Sequence, residues 1–171
     1  NMRDVHRLIA DQVLLSDKFD TMVARVLERR LEPTGREVAV VGAGPTGLTC
    51  AYYLALFGHS VTVYDSRPAA GGMLRYALPE YRLPKAALDK EVELIERLGV
   101  RFVFNVNVGE EPTLNDLAHQ YDSVFLAIGT WKESWVYLPG TELRGVIPAL
   151  PFLEAVSRDE EVPVGKKVVV I

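Results

Sequence analysis

The chain reads as an α/β protein with a parallel sheet and a helical prefix at its N-terminus, and three observations predict this. The apolar run Val38–Val41 leads straight into Gly42-Ala43-Gly44-Pro45-Thr46-Gly47, and a helix-like segment from Leu48 to Phe57 follows. Strand-like and helix-like segments alternate after that. Residues 1–31, by contrast, show only a helical spacing of apolar side chains. Alternation of this kind gives a parallel sheet covered on both faces, with right-handed crossovers between strands. The glycine turn between the first strand and its helix makes the expected sheet Rossmann-like.

In the prefix, Val5, Leu8, Ile9 and Val13 recur at helical spacing, as do Phe19, Met22, Val23, Val26 and Leu27. Ser16-Asp17 interrupts the pattern, so two helices are expected. Arg25, Glu28, Arg29 and Arg30 form a solvated face. Pro33-Thr34-Gly35 closes the prefix and sets a boundary after residues 1–33. Helices of this kind are not part of a nucleotide-binding unit, so they should pack on its outside or on a partner.

The unit itself runs over residues 36–158. Gly42 permits the tight turn, Gly44 lets a pyrophosphate reach the backbone, and Gly47 lets the helix pack close to the strand. Ala43, Pro45 and Thr46 complete a turn whose free N–H groups and helix dipole favour anionic phosphates. Gly58-His59 is a turn, His59 being a turn residue rather than a ligand, and Ser60–Tyr64 is the second strand. Asp65 closes that strand at the spacing, roughly 20 residues past the glycines, where an acid accepts ribose hydroxyls. Asp is also a common turn residue. A carboxylate here argues against the 2′-phosphate of NADP.

Ser66 and Arg67 open a loop to Met73 that contains Gly71-Gly72. Its exposed amides suit a second phosphate or ring contact, and a plain loop fits equally well. Leu78–Pro84 should be extended by its prolines. Lys85–Leu98 is an amphipathic helix with Gly99 as its cap. Val100–Val108 reads as a strand, Thr113-x-x-Asp116 as a capping box opening a short helix to His119, and Tyr121–Ile128 as a strand ending in Gly129-Thr130. Trp131–Gly145 reads as a loop or hairpin, Pro148–Arg158 as a helix and Lys166–Ile171 as a last strand. Gly42, Asp65, Val108 and Gly129 all fall at strand carboxyl ends, where ligands of such sheets lie. One shared site follows.

Composition excludes several classes. A net charge of −4 gives no basic surface for nucleic acid. No apolar run is long enough for a bilayer, and Asp4, His6, Arg7 and Asp11 break any signal-peptide core. A cytoplasmic location is expected. The single cysteine, Cys50, forbids an internal disulfide, suggests no metal site and sits among small packing residues as a core thiol.

Four stretches together carry a resemblance: Val41–Leu48; Gly71-Gly72-Met73-Leu74-Arg75-Tyr76-Ala77-Leu78-Pro79-Glu80-Tyr81-Arg82-Leu83-Pro84; Asn105–Gly109; and Ala127-Ile128-Gly129-Thr130. The chain resembles the FAD-binding half of two-dinucleotide-domain flavoprotein reductases. It is most similar to the small (beta) subunit of NADPH-dependent glutamate synthase and its relatives, which include the reductase part of dihydropyrimidine dehydrogenase. The likeness covers nearly the whole chain.

The resemblance implies FAD, with its pyrophosphate on Gly42, Gly44 and Thr46 and its adenosine ribose at Asp65. It brings Gly72, Met73, Leu74 and Arg82 toward the flavin, Val108 to adenine, and Ala127–Thr130 beside the cofactor. Two departures stand out. Asp65 replaces the family's usual Glu, and Ile128 stands where Thr is common. The family further implies iron–sulfur clusters before the prefix and an NAD(P)-binding domain whose first strand matches residues 166–171. Both would lie outside this chain, which is then a fragment unable to turn over NAD(P)H alone. Electrons would pass from NAD(P)H through FAD to iron–sulfur centres or a partner subunit. No residue is needed as acid, base or nucleophile. The alternatives are an NAD-binding domain of a dehydrogenase and a docking module that keeps the fold without a nucleotide.

Overall fold

A computed structural model describes residues 2–132 and 138–171. The prefix forms α1 (Met2–Leu14) and α2 (Lys18–Leu27). The break falls at Ser16, whose hydroxyl accepts the Lys18 N–H at 3.2 Å and donates to the Gln12 carbonyl. Glu37–Val41 is β1 and Pro45–Leu56 is α3; Ser60–Asp65 is β2, Met73–Tyr76 the short α4 and Lys85–Arg97 α5. Arg101–Phe104 is β3, Leu114–Gln120 α6, Ser123–Leu126 β4 and Ala149–Ser157 α7.

The sheet is parallel throughout, in the order β3-β2-β1-β4. The inner strands β1 and β2 are buried on both faces and so read as apolar runs, while β3 and β4 at the edges are partly exposed. On one face α3 and α5 cover Val40, Val61 and Val63 with Leu48, Ala51, Ala55, Val92, Ile95 and Leu98. On the other, Leu117 of α6 and Tyr121 cover Ala39, Val41 and Tyr64. The expected capping box is present on α6, where the Thr113 hydroxyl accepts the Asp116 N–H and the Asp116 carboxylate accepts the Thr113 N–H. β2 and then β3 lie to one side of β1, while β4 lies on the other. This reversal creates a crevice at the carboxyl ends of β1 and β4, where open α/β sheets bind ligands.

The prefix packs on the domain's outside, as its pattern predicts. Leu14, Phe19 and Val23 share a core with Ala87 and Leu94 of α5. Arg97 donates to Asp20 at 2.5 Å, and the Lys90 ammonium stands 4.6 Å from the centre of the Phe19 ring. Val5, Leu8 and Ile9 of α1 stay exposed, so only part of the expected apolar stripe is buried.

Several boundaries differ from the sequence expectation. Residues 78–84 are not extended: the Arg82 and Leu83 N–H groups both donate back to the Pro79 carbonyl, making a turn. A proline restricts itself and the residue before it, so Leu78-Pro79 and Leu83-Pro84 are held while 80–82 are free to turn. β3 stops at Phe104 rather than Val108 because Asn105 takes a positive φ of 59°, which Asn tolerates. The backbone still clings to β2's end, with Val106 N–H donating to the Asp65 carbonyl at 3.0 Å. β4 covers Ser123–Leu126, less than Tyr121–Ile128.

Residues 166–171 form no strand. Val169 and Val170 are 86% and 91% exposed, because β-formers without a neighbouring strand have no backbone partners. Of the expected loop or hairpin at Trp131–Gly145, residues 133–137 lie outside the described residues, and 139–144 are turns.

Candidate dinucleotide site

Gly42 ends β1 with φ 109° while its N–H donates to the Tyr64 carbonyl at 2.7 Å. A Cβ there would lie 2.3 Å from the Ala127 carbonyl oxygen, so β4 closes directly on the turn. Gly47 holds α3 against the turn: its Cβ would meet the Gly42 carbonyl oxygen at 1.8 Å. Gly44 differs, since only the Gly72 Cα at 3.9 Å faces its missing side chain. N–H groups in the first turn of a helix have no intrahelical acceptor, and α3 brings Thr46 of that turn to the open side.

The second glycine turn packs on the first, backbone to backbone. Gly71 N–H donates to the Ala43 carbonyl at 2.8 Å, and a Cβ on Gly72 would lie 2.7 Å from the Gly44 Cα. Asp65 ties the first turn to the start of the loop that leads into the second. One carboxylate oxygen accepts the Ala43 N–H at 2.6 Å and the other accepts the Arg67 N–H at 2.8 Å. A carboxylate oxygen accepts two hydrogen bonds, so each keeps capacity for a ligand hydroxyl.

These elements enclose a cavity of about 440 Å³. Of the expected site residues, Gly42, Gly44, Pro45, Thr46, Asp65, Ser66, Arg67, Gly72, Met73, Val108, Ala127, Ile128 and Gly129 line it. Ala43, Gly47 and Gly71 lie behind the wall as packing positions. Leu74 and Arg82 do not line it. The Leu74 carbonyl instead accepts the Lys85 ammonium at 2.8 Å, and Arg82 is exposed with its carbonyl toward Arg7 at 3.4 Å. Thr130 is exposed beside the cavity rather than in it. Val108 and Gly129 reach it from loops past β3 and β4, not from strand ends.

A model of the NAD(P)-binding Rossmann-like domain matches residues 40–91. The NADPH-dependent glutamate synthase small chain of Escherichia coli strain K12 is 37% identical over 141 residues, covering 82% of this chain and 30% of that one. The chain is a homologue of part of the glutamate synthase small chain. The NADP(+)-dependent formate dehydrogenase subunit beta of Moorella thermoacetica is 40% identical over 140 residues, which are 81% of this chain and 20% of that subunit. The chain thus spans a fifth to a third of the curated relatives just named. Among solved structures, Mycobacterium tuberculosis FprA in complex with NADPH superposes with a TM-score of 0.64 at 26% identity, over 72% of this chain and 29% of that one. Among the described residues no helix is long and apolar enough to cross a membrane.

Val41, Tyr64, Val106, Asn107 and Trp131 also form cavity walls and were not among the residues expected from sequence. The first four adjoin residues already singled out, so a margin of one or two positions would have found them. Trp131 is brought in by its ring contacts, 4.7 Å from the Arg67 guanidinium and edge-on to Tyr76 at 6.3 Å. Cys50 and His59 stand apart from the cavity. Burial pushes the Cys50 thiol up, and His59 Nδ1 pairs with the Thr34 hydroxyl at 2.7 Å.

Tyr64 carries a pH signature. Its hydroxyl meets that of Tyr121 at 2.9 Å, and burial, then this bond, push its pKa up to about 12. The folded chain therefore keeps a proton that the unfolded chain loses near pH 10. For Tyr64 this means a contribution to stability that falls as pH rises. Tyr121 shifts the other way, the burial that would raise it being outweighed by its bonds to Thr62, Tyr64 and Arg101. The Tyr64 contribution is complete below about pH 10 and is lost as pH climbs toward about 12. Thermal melts across that range should show the loss, and Tyr64→Phe should flatten it; an equally steep decline in the variant would assign it to other groups.

Proposed function

We propose that this chain is the FAD-binding segment of an NAD(P)H-dependent oxidoreductase of the glutamate synthase small-chain kind. The observation that carries the reading is the meeting of two glycine turns and Asp65 around one cavity at the β1/β4 crevice. The residues suit a dinucleotide. Gly42 and Gly47 shape the turn, Gly44 presents open backbone, and the α3 amides suit a pyrophosphate. Asp65 would hold the adenosine ribose through its remaining acceptor capacity, with Ser66 and Arg67 beside it. Val108 would meet the adenine. Met73 and Ala127–Gly129 would border the rest of the cofactor, where FAD supplies hydride acceptance from a nicotinamide and stepwise release of electrons. The chain's own residues bind, orient and exclude water.

Other parts of the reading concern the longer protein. Relatives are named as a small chain and a subunit beta, which supports a partner subunit receiving the electrons, with iron–sulfur centres on that route. Residues 1–33 would link to such a unit. Residues 166–171, with their exposed Val169 and Val170, would pair as the first strand of an NAD(P)-binding domain.

Asp at position 65, one carbon shorter than Glu, favours NAD as a second reading. Titrating the purified chain with FAD and with NAD⁺, following flavin fluorescence and melting midpoint, separates the two. FAD should bind and raise the midpoint by mass action. Asp65→Ala should weaken it by about 1–3 kcal/mol, the scale of a charge-assisted hydrogen bond. Preference for NAD⁺ would establish the second reading, and no response to either would leave a docking module.

A further inference from the structure

We propose that Glu154, on α7, sets the cavity's choice of ribose by occupying the guanidinium of Arg67. The inference rests on the preceding reading, which puts the adenosine ribose at Asp65. Dinucleotide sites that accept a 2′-phosphate use an arginine near that ribose. Arg67 stands in such a place, two residues after Asp65, on the cavity wall and with its N–H on the Asp65 carboxylate. A free guanidinium there would pair a phosphate through its planar fork.

The fork is not free. Both terminal nitrogens donate to Glu154, Nη1 to one carboxylate oxygen and Nη2 to the other at 3.2 Å. The two side chains are only 27% and 20% exposed, so their attraction is weakly screened. The guanidinium is also fixed by stacking, 4.7 Å from the Trp131 ring and 5.4 Å from that of Tyr76. Tyr76 is held in turn by the Ala69 backbone at 3.2 Å. Arg158, one turn along α7, supports Glu154 at 2.5 Å. The ribose therefore meets the Asp65 carboxylate with the Arg67 guanidinium already paired to Glu154. That arrangement accepts hydroxyls and rejects a phosphate.

Two probes that differ in this one group test the idea: adenosine 5′-monophosphate and adenosine 2′,5′-bisphosphate, titrated into the full chain by calorimetry. The wild type should prefer the monophosphate. Glu154→Gln releases Arg67 and should improve bisphosphate binding about tenfold, the equivalent of one charge-assisted hydrogen bond, with monophosphate binding unchanged. The gain should vanish in the double variant Glu154→Gln, Arg67→Met, because it depends on the freed guanidinium. An unchanged ratio in Glu154→Gln, or a gain that survives in the double variant, overturns the proposal while the dinucleotide reading stands. Failure of the wild type to bind either probe defeats the dinucleotide reading itself.

Discussion

Gly47→Ala is expected to cost the domain about 3 kcal/mol or more and to lower its melting midpoint by about 10 °C. The added methyl would lie 1.8 Å from the Gly42 carbonyl oxygen, 3.0 Å from its carbon and 3.3 Å from Val40 Cγ1. None of these yields cheaply. Gly42 is tied to β2 through the Tyr64 carbonyl, and Val40 is fully buried between β1 and its helices. The strain must therefore lift the start of α3. Leu48, Ala51 and Ala55 would leave the face they share with Val61 and Val63, and apolar area would return to water. Thermal melts without added nucleotide measure the effect. An unchanged midpoint would mean that α3 does not dock on β1 through this glycine.

The parts of the fold that sequence alone reveals are those fixed by short-range chemistry. β1, its glycine turn and α3 form a local unit, and α5 announces itself by an apolar stripe closed by Gly99, whose φ is 93°. The Thr113–Asp116 capping box is likewise complete within four residues. Expectations fail where a partner decides. Val168–Ile171 has the composition of a strand, but a strand exists only when another chain segment accepts its hydrogen bonds. Leu78–Pro84 turns back because a proline restricts only itself and the residue before it, leaving 80–82 free.

The candidate site divides in the same way. Gly42, Gly44 and Gly47 were legible because each satisfies a requirement of the turn itself. Arg67 was legible as a neighbour of Asp65, but not as a committed ion pair. Glu154 stands 87 residues away, on a helix whose sequence says nothing about where its carboxylate will land. Trp131 shares this fate, since its place on the wall depends on how the chain leaves β4. Tertiary contacts of this kind leave no periodic trace. They carry the specificity of the cavity all the same.

Gly44→Val separates binding from folding. The residue has φ −77° and ψ −178°, extended backbone open to any side chain. The first carbon of a new side chain would meet only the Gly72 Cα, at 3.9 Å. The fold should therefore hold its melting midpoint, in contrast to Gly47→Ala. Binding should not survive. A branched side chain on Gly44 fills the gap between the two glycine turns, where the α3 amides would meet a pyrophosphate. Losing two charge-assisted hydrogen bonds at 1.5–3 kcal/mol each corresponds to an affinity loss of about hundredfold or more. Flavin fluorescence titration, with a melt of the same sample as a control for folding, measures both terms. Wild-type affinity in a fully folded Gly44→Val protein would move the pyrophosphate away from this turn. A joint loss of stability and affinity would instead show that Gly44, like Gly47, serves the packing of α3.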